Sequence, residues 1–387
     1  TWLEAAPAIH LWISSLLGTR PSGAEDLLTY WEAWASATAP ALTPDLIRAG
    51  RGATIEALRS WLDGPPGVRE VRAQTRDEAT AFVAAALLPS SDADVGYDVD
   101  RAIVVHESDS WSQLAAHPEP LLLIAAFQGR SRIAAAATGG HHVLIPLARD
   151  EASSPNTIDI PRLHRVEARK ALESVGIDDS SGLDSLSRLA RTSLAACRRR
   201  LAISRATLTP SWGTPSDSRR LVAAVLAGQW SETHAADKEA VEALADEPYE
   251  DYQQFLLELA ALPDPPLQRI GAVWTVVAKD DTWDLVAPRA TREHLERFEE
   301  VCVEVLSERD PRYDLPHEQR WCALLFGKAT TQSADLRRSL ADSTALLGAT
   351  SNTITSSDTC VAQYRVDRIV QGVMSSARDW QSLASVL

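Results

Sequence analysis

The sequence predicts an α/β domain with a parallel sheet and flanking helices, followed by a helical segment and an all-α, winged-helix-like region. Two observations carry this prediction. Short runs rich in Val, Ile and Leu alternate with helix-like segments over residues 49–160, as expected for buried parallel strands joined by crossover helices. After residue 160 the apolar period becomes helical, and one further β-rich run follows at 270–277.

The N-terminal segment, residues 1–48, is predicted to be helical. An apolar stripe over 2–17 ends at Gly18, and a second helix carries Trp31 and Trp34 on one face. Tryptophans at this spacing are more typical of core packing than of a ligand cage.

Four strand-like runs form the framework of the α/β domain, 49–160. They are VREVRAQ (68–74), RAIVV (101–105), LLLIAAF (121–127) and HVLIPL (142–147). Helix-like segments lie between them, at 76–88, 109–117 and 130–139. Strands that alternate with helices in this way predict a sheet covered on both faces.

Three further regions follow the α/β domain. Leucines at helical spacing predict a helical lid over 161–208. The turn-rich stretch TLTPSWGTPSDS (207–218) is the best candidate for a linker. Residues 219–387 are predicted to be helical except at IGAVWTVV (270–277), and helices followed by a short strand favour a winged-helix-like module.

Composition bounds the possible partners. The net charge of -15 and the pI near 5.1 disfavour non-specific binding to DNA or to anionic membranes. The four cysteines lack metal or redox spacing, which favours free thiols in a reducing compartment. No apolar run approaches the ~18 residues that a membrane span needs. We therefore expect a cytoplasmic protein without a membrane partner.

The first residues carry a separate expectation. Residues 1–18 have an early acidic residue and no basic region, unlike a signal peptide. The first residue is Thr1, and Met374 is the only methionine in the chain. We expect the chain to begin inside a longer protein.

The stretch 49–87 holds a motif with chemical meaning. It opens with Gly50 and Arg51, continues through an amphipathic helix and reaches the strand VREVRA. This order resembles the opening of STAND-type signalling NTPases, and the resemblance extends over roughly residues 49–310. It implies that the α/β domain is similar to a degenerate P-loop NTPase, and that a helical lid and a winged helix follow it. The style also resembles large bacterial antiphage proteins of this kind, in which an effector, often a nuclease, precedes the module.

The phosphate loop that should follow the strand is replaced by QTRDEATAF (74–82). This stretch has no glycine to bring backbone N–H groups around a phosphate and no lysine to reach it. Thr75 and Glu78 instead have the spacing of a capping box. Asp77 and Glu78 would place negative charge at the helix N-terminus, where a phosphate would otherwise bind. We expect weak ATP binding or none, and no cofactor.

The resemblance nevertheless implies positions for a nucleotide. The candidate contacts are Arg51, Thr75, Glu107 and Arg198. Glu107 follows the strand RAIVV, where His106 occupies the usual position of a metal-binding aspartate in the family pattern. The chain contains no intact catalytic motif and no metal-binding motif, so it is not expected to be an enzyme.

A basic cluster without acidic residues lies in the predicted lid. Its arginines are Arg188, Arg191, Arg198, Arg199, Arg200 and Arg205. Such a cluster is able to contact nucleic acid or phosphate. A solvated helix face with intersubunit salt bridges is the simpler interpretation.

Three functional hypotheses remain. The first is a regulatory scaffold of a bacterial defence or signalling protein, which controls oligomerisation and activation of an attached effector without ATP hydrolysis. The second is a divergent ATPase that uses Glu107 and lid arginines. The third is a nucleic-acid-binding adaptor that uses the cluster between Arg188 and Arg205.

Overall fold

The computed structural model describes residues 21–89, 99–127, 133–149, 151–204, 209–262, 264–354 and 359–376. The chain divides into two compact units, 1–208 and 209–387. The helix predicted over 2–17 and Arg205 lie outside the described residues.

Six strands form one sheet in the first unit. They are β1 (Ala24–Asp26), β2 (Val68–Arg72), β3 (Ala102–Val105), β4 (Leu122–Ala125), β5 (His142–Leu147) and β6 (Ile158–Asp159). Their order across the sheet is β1-β3-β4-β5-β2-β6. All neighbouring strands are parallel except β1, which is antiparallel to β3.

The four strands predicted from apolar runs are confirmed as β2 to β5. The two edge strands were not predicted. The prediction of a wholly helical 1–48 is wrong at β1, and β6 has only two residues. Neither edge strand contains an apolar run, because an edge strand is buried on fewer sides than a central one.

Nine helices are described in the first unit. They are α1 (Leu27–Ser36), α2 (Pro44–Arg48), α3 (Gly52–Leu62), α4 (Arg76–Leu87), α5 (Ser108–Ala115), α6 (Ala134–Thr138), α7 (Arg165–Ser174), α8 (Ser180–Thr192) and α9 (Leu194–Leu201). Alternate strand residues point to opposite faces, so Val104 joins the core beneath α4 and Val105 joins the core beneath α5 and α6. The sheet is covered on both faces, as expected.

The connections locate the point at which this sheet is suited to hold a ligand. From β2, the chain crosses through α4 to β3 and then returns through α5 and α6 towards β5. The helix after β2 and the helices before β5 therefore cover opposite faces. In open α/β sheets, ligands bind outside the carboxyl ends of strands where the direction of winding reverses. Here that point is the adjacent ends of β2 and β5.

The second unit begins with a helix, a strand, two helices and a hairpin. These are α10 (Pro215–Ala227), β7 (Gln229–Ser231), α11 (Ala235–Ala245), α12 (Tyr249–Ala260), β8 (Leu267–Ile270) and β9 (Val273–Val276). The three strands form an antiparallel sheet in the order β7-β9-β8.

The structure divides the β-rich run 270–277 by a turn at Gly271, where φ is +62°, so the residues before the turn form β8 and those after it form β9. The boundary between the two units, after residue 208, lies inside the predicted linker 207–218, but the linker's last residues form the first turn of α10. Its turn-forming residues are capping residues, since the Thr214 hydroxyl accepts a hydrogen bond from the Asp217 amide at 3.2 Å.

Four further α-helices are described in this unit. They are α13 (Lys279–Val286), α14 (Arg292–Ser307), α15 (Ala334–Ala349) and α16 (Thr359–Ser376). Between α14 and α15, a 3₁₀ segment, His317–Phe326, exposes apolar side chains. Trp321 and Leu325 are 85% and 84% exposed.

His294, in the first turn of α14, makes the second unit sensitive to acid. Its Nδ1 accepts a hydrogen bond from the Thr291 amide at 3.0 Å, which requires a neutral ring. Burial, together with Arg297 and Arg219, lowers the His294 pKa to about 4. An unfolded histidine titrates near pH 6.5. Between pH 4 and 6.5 the unfolded chain therefore binds more protons, and stability is lost as the pH falls through this range.

We predict that His294→Gln, which keeps a hydrogen-bond acceptor, reduces this pH dependence. The measurement is the free energy of unfolding of the second unit from urea denaturation between pH 4 and 7. Equal slopes in the variant and the wild-type chain would contradict the assignment.

Candidate functional site

The N-terminus of α4 follows β2 directly, at the point where the winding of the sheet reverses. The hydroxyl of Thr75 accepts a hydrogen bond from the Glu78 amide at 3.1 Å, so the predicted cap is confirmed. The second half of the predicted capping box is wrong. The Glu78 side chain does not return to the Thr75 backbone, because it pairs with Arg51.

The Arg51–Glu78 ion pair is buried between α3 and α4. Arg51 is 1% exposed and Glu78 is 5% exposed. Arg51 also donates to the carbonyl of Pro161 at 2.9 Å and to that of Ile47 at 3.1 Å. A buried charge is tolerated only when it is paired and hydrogen-bonded, and both conditions hold here. Arg51 thus connects the start of α4 with α2 and with the chain that leads into α7.

Gly50 is required by the close approach of the chain before α7. Its φ is +72°, and a Cβ atom would lie 2.5 Å from the Cβ of His164. Its amide donates to the carboxylate of Glu167 at 2.6 Å. The Gly-Arg motif therefore has a structural role in joining the N-terminal helices to α7.

Asp77 is surrounded by donors from distant parts of the first unit. Tyr30 and Trp34 of α1 donate to its carboxylate at 3.1 and 2.9 Å. Arg198 of α9 pairs with it at 3.2 Å and lies over the Trp34 ring, 4.0 Å from the ring centroid. Burial, reinforced by the negative charge of Asp77, raises the pKa of Tyr30 well above its usual value. The phenol therefore remains a donor at physiological pH.

Arg76 connects the adjacent ends of β2 and β5. Its guanidinium makes a two-point ion pair with Glu151, at 2.6 Å from Nε and 2.5 Å from Nη2. Glu151 also accepts the amide of Ala148 at 2.8 Å, which ties the carboxylate to the loop after β5. Paired guanidinium and carboxylate groups of this geometry are among the stronger polar contacts in proteins.

The structure does not bring Glu107 to this site. Glu107 follows β3, which lies three strand positions from β2. Neighbouring strands are about 4.8 Å apart, which places Glu107 about 14 Å from the end of β2. Its side chain packs against Gly23, and the neighbouring His106 lies 2.8 Å from Glu25. Of the four candidate nucleotide contacts, Arg51, Thr75 and Arg198 meet at α4.

The predicted basic cluster is divided between the interior and the surface. Arg198 turns inward to Asp77, and Arg199 is 6% exposed. Arg188, Arg191 and Arg200 are exposed. The cluster is therefore not one continuous basic surface.

Sequence reasoning missed several members of the site. The helical tryptophan spacing predicted that Trp34 is buried, and it is, but not that its indole donates to Asp77. No signal marked Tyr30, Arg76 or Glu151, because their partners lie 47 and 75 residues away.

Carboxylates and cations at this edge neutralise one another. Arg51, Arg76 and Arg198 each pair with a carboxylate of the protein. In the part of the chain that the structure describes, no three potential metal ligands come together. The arrangement commits these three arginines to carboxylates of the protein, whereas Arg149, just after β5, donates to the backbone carbonyl of Ile160 at 3.3 Å.

Comparisons with known proteins do not assign a family. No protein-family model matches the chain, and no curated protein or solved structure is significantly similar to it. Among the described helices, none combines the length and the hydropathy needed to cross a bilayer.

Proposed function

We propose that this chain is a non-catalytic switch and scaffold module of the STAND type, from a bacterial defence or signalling protein. It controls the oligomerisation and activation of an attached effector and does so without ATP hydrolysis. One observation carries the proposal. In the first turn of α4, Asp77 pairs with Arg198 of α9 at 3.2 Å, where the resemblance implies that a phosphate would bind.

Three features support the derivation from a nucleotide-binding fold. The helix that opens this site follows a central parallel strand, β2. A helical segment, α7 to α9, follows the sheet as a lid would. The helix-strand-helix-helix-hairpin order of α10 to β9 is that of a winged helix. Because the carboxylate of Asp77 belongs to the protein, its contact with Arg198 forms without a nucleotide.

We predict that ATP with Mg²⁺ produces neither heat in calorimetry nor a rise in the melting temperature. The reason is that Asp77 and Glu78 already occupy the helix terminus and pair with Arg198 and Arg51, so these two arginines are not free to bind a phosphate. ADP and a non-hydrolysable ATP analogue serve as further ligands. Binding with a micromolar dissociation constant would defeat the proposal.

The two other hypotheses receive less support. An ATPase that uses Glu107 requires this carboxylate near the phosphates. Glu107 instead follows β3, which lies three strand positions from β2. Turnover that is lost in Glu107→Gln would restore that hypothesis. A DNA-binding winged helix requires a basic recognition helix, which is the second helix of its helix-turn-helix pair. The corresponding helix, α12, exposes Glu250, Asp251 and Glu258, which repel phosphate.

A further inference from the structure

Two exposed helical surfaces carry opposite charge. The first, which we call the acidic face, consists of Glu250, Asp251, Leu257 and Glu258 on α12. Within the described ranges, none of its three carboxylates has an ion-pair partner. Leu257 lies two turns from Glu250 on the same side of the helix and is 38% exposed. The acidic face is thus charged and has an apolar contact point.

The acidic face belongs to a strongly negative helix pair. Residues 235–260 contain eight carboxylates and one lysine. Arg297 pairs with Asp246 and Arg220 pairs with Glu247, two carboxylates in the loop after α11. Arg220 also contacts α12, where it donates to the Asp251 backbone carbonyl at 3.3 Å and lies over the Phe255 ring. The three carboxylates of the acidic face outnumber this one cation.

The second surface, the basic face, consists of Arg165 and Arg169 on α7 with Arg188 and Arg191 on α8. Asp184 lies between the two helices, 3.5 Å from Arg165 and 3.2 Å from Arg169. Its backbone carbonyl accepts Arg188 at 3.2 Å. Two guanidinium groups share the one carboxylate of Asp184, and Arg188 and Arg191 are exposed on α8. This leaves an excess of positive charge, although Glu173 lies one turn further along α7. Exposed Val166 supplies an apolar point beside these charges.

The basic face is an exception on an acidic chain. Residues 161–204 contain nine basic and five acidic residues, whereas 209–387 contain 17 basic and 28 acidic residues. Charges that are closer than the Debye length, about 8 Å at physiological salt, act locally despite a repulsive net charge. Duplex DNA has one negative charge per about 1.7 Å, so the carboxylates of the rest of the chain oppose it strongly. A second copy presents a compact acidic face instead.

We propose that the acidic face of one copy binds the basic face of a second copy. This inference rests on the proposed function and deepens it, because it names the surfaces through which the module associates. The two faces differ, so the contact is heterologous and extends into a ring or an open chain. Opposite charges set the orientation and the association rate. Leu257 and Val166 add apolar contact.

The test uses the full chain and sedimentation velocity over a range of protein concentrations at low and high salt. We expect association at low salt that weakens as salt screens the charges. Glu250→Lys with Glu258→Lys in one variant, and Arg188→Glu with Arg191→Glu in another, each weaken self-association by about tenfold or more. An equimolar mixture of the two variants restores association, because each then supplies the face that complements the other.

The matched control is Glu300→Lys with Glu304→Lys, which makes the same change in net charge on exposed positions of α14 and leaves association intact. Wild-type chain that remains monomeric at low salt, or a mixture that stays monomeric, overturns the proposal. So does association that survives both reversals and disappears in Leu325→Ser, since the exposed apolar segment would then drive it. Salt-dependent DNA binding by a monomer that is lost in Arg188→Glu overturns it in favour of nucleic acid. None of these results depends on ATP. The proposed self-association and the predicted absence of ATP binding can therefore each be contradicted without the other.

Discussion

Replacing Arg51 by methionine is expected to lower the free energy of unfolding of the first unit by about 3–5 kcal/mol. The substitution keeps an unbranched apolar side chain but leaves the carboxylate of Glu78 buried without its cation. It also removes the donors to Pro161 and Ile47. The measurement is urea denaturation, with hydrogen exchange of the α4 amides to assign the change to the first unit.

An exposed ion pair provides the matched control. Arg72 pairs with Asp159 at 2.6 Å, but the two side chains are 25% and 57% exposed. Arg72→Met is therefore expected to cost no more than about 1 kcal/mol. The double substitution Arg51→Met with Glu78→Leu should recover part of the loss, because no unpaired charge remains. If Arg51→Met costs no more than Arg72→Met, the buried pair does not hold the start of α4.

Gly228→Ala is expected to destabilise the second unit by about 3–5 kcal/mol. Gly228 ends α10 with a φ of +72°, and an added Cβ would lie 2.0 Å from the hydroxyl of Ser339 and 2.6 Å from Nζ of Lys279. The backbone has little freedom to move away. The amide of Gly228 donates to Ala224 at 2.7 Å, and its carbonyl accepts Val276 at 2.8 Å.

Gly271→Ala separates backbone strain from steric overlap. Gly271 has a φ of +62°, but no atom lies within 4 Å of a Cβ built there. Its substitution is expected to cost only the left-handed conformation, about 1–2 kcal/mol. Thermal and urea unfolding of the two variants give the comparison. Equal losses would show that the packing around Gly228 adjusts without cost.

Lys279 shares this packing with Gly228. Burial lowers the pKa of its amine to about 8, and the amine donates to the Ser339 carbonyl at 2.9 Å. A methyl group at Gly228 would push this amine from its acceptor. The expected loss in Gly228→Ala therefore includes a polar component that Gly271→Ala lacks.

The sequence by itself determined the features that depend on neighbouring residues. Continuous apolar runs predicted β2 to β5, because strands buried on both faces have no polar side. The cap of Thr75 on Glu78 was predicted because it joins residues three positions apart. β1, β6 and β7, of two or three residues each, were not predicted, because so few residues carry no measurable period.

Only the tertiary structure decided the partners of the charges at the start of α4. Glu78 has the sequence spacing of a capping residue, but burial beside Arg51 makes the ion pair the more favourable arrangement. Arg198 and Arg188 occupy the same sequence cluster, yet one turns towards Asp77 and the other remains at the surface. Such choices depend on desolvation and on contacts between residues up to 164 positions apart, and local sequence contains neither.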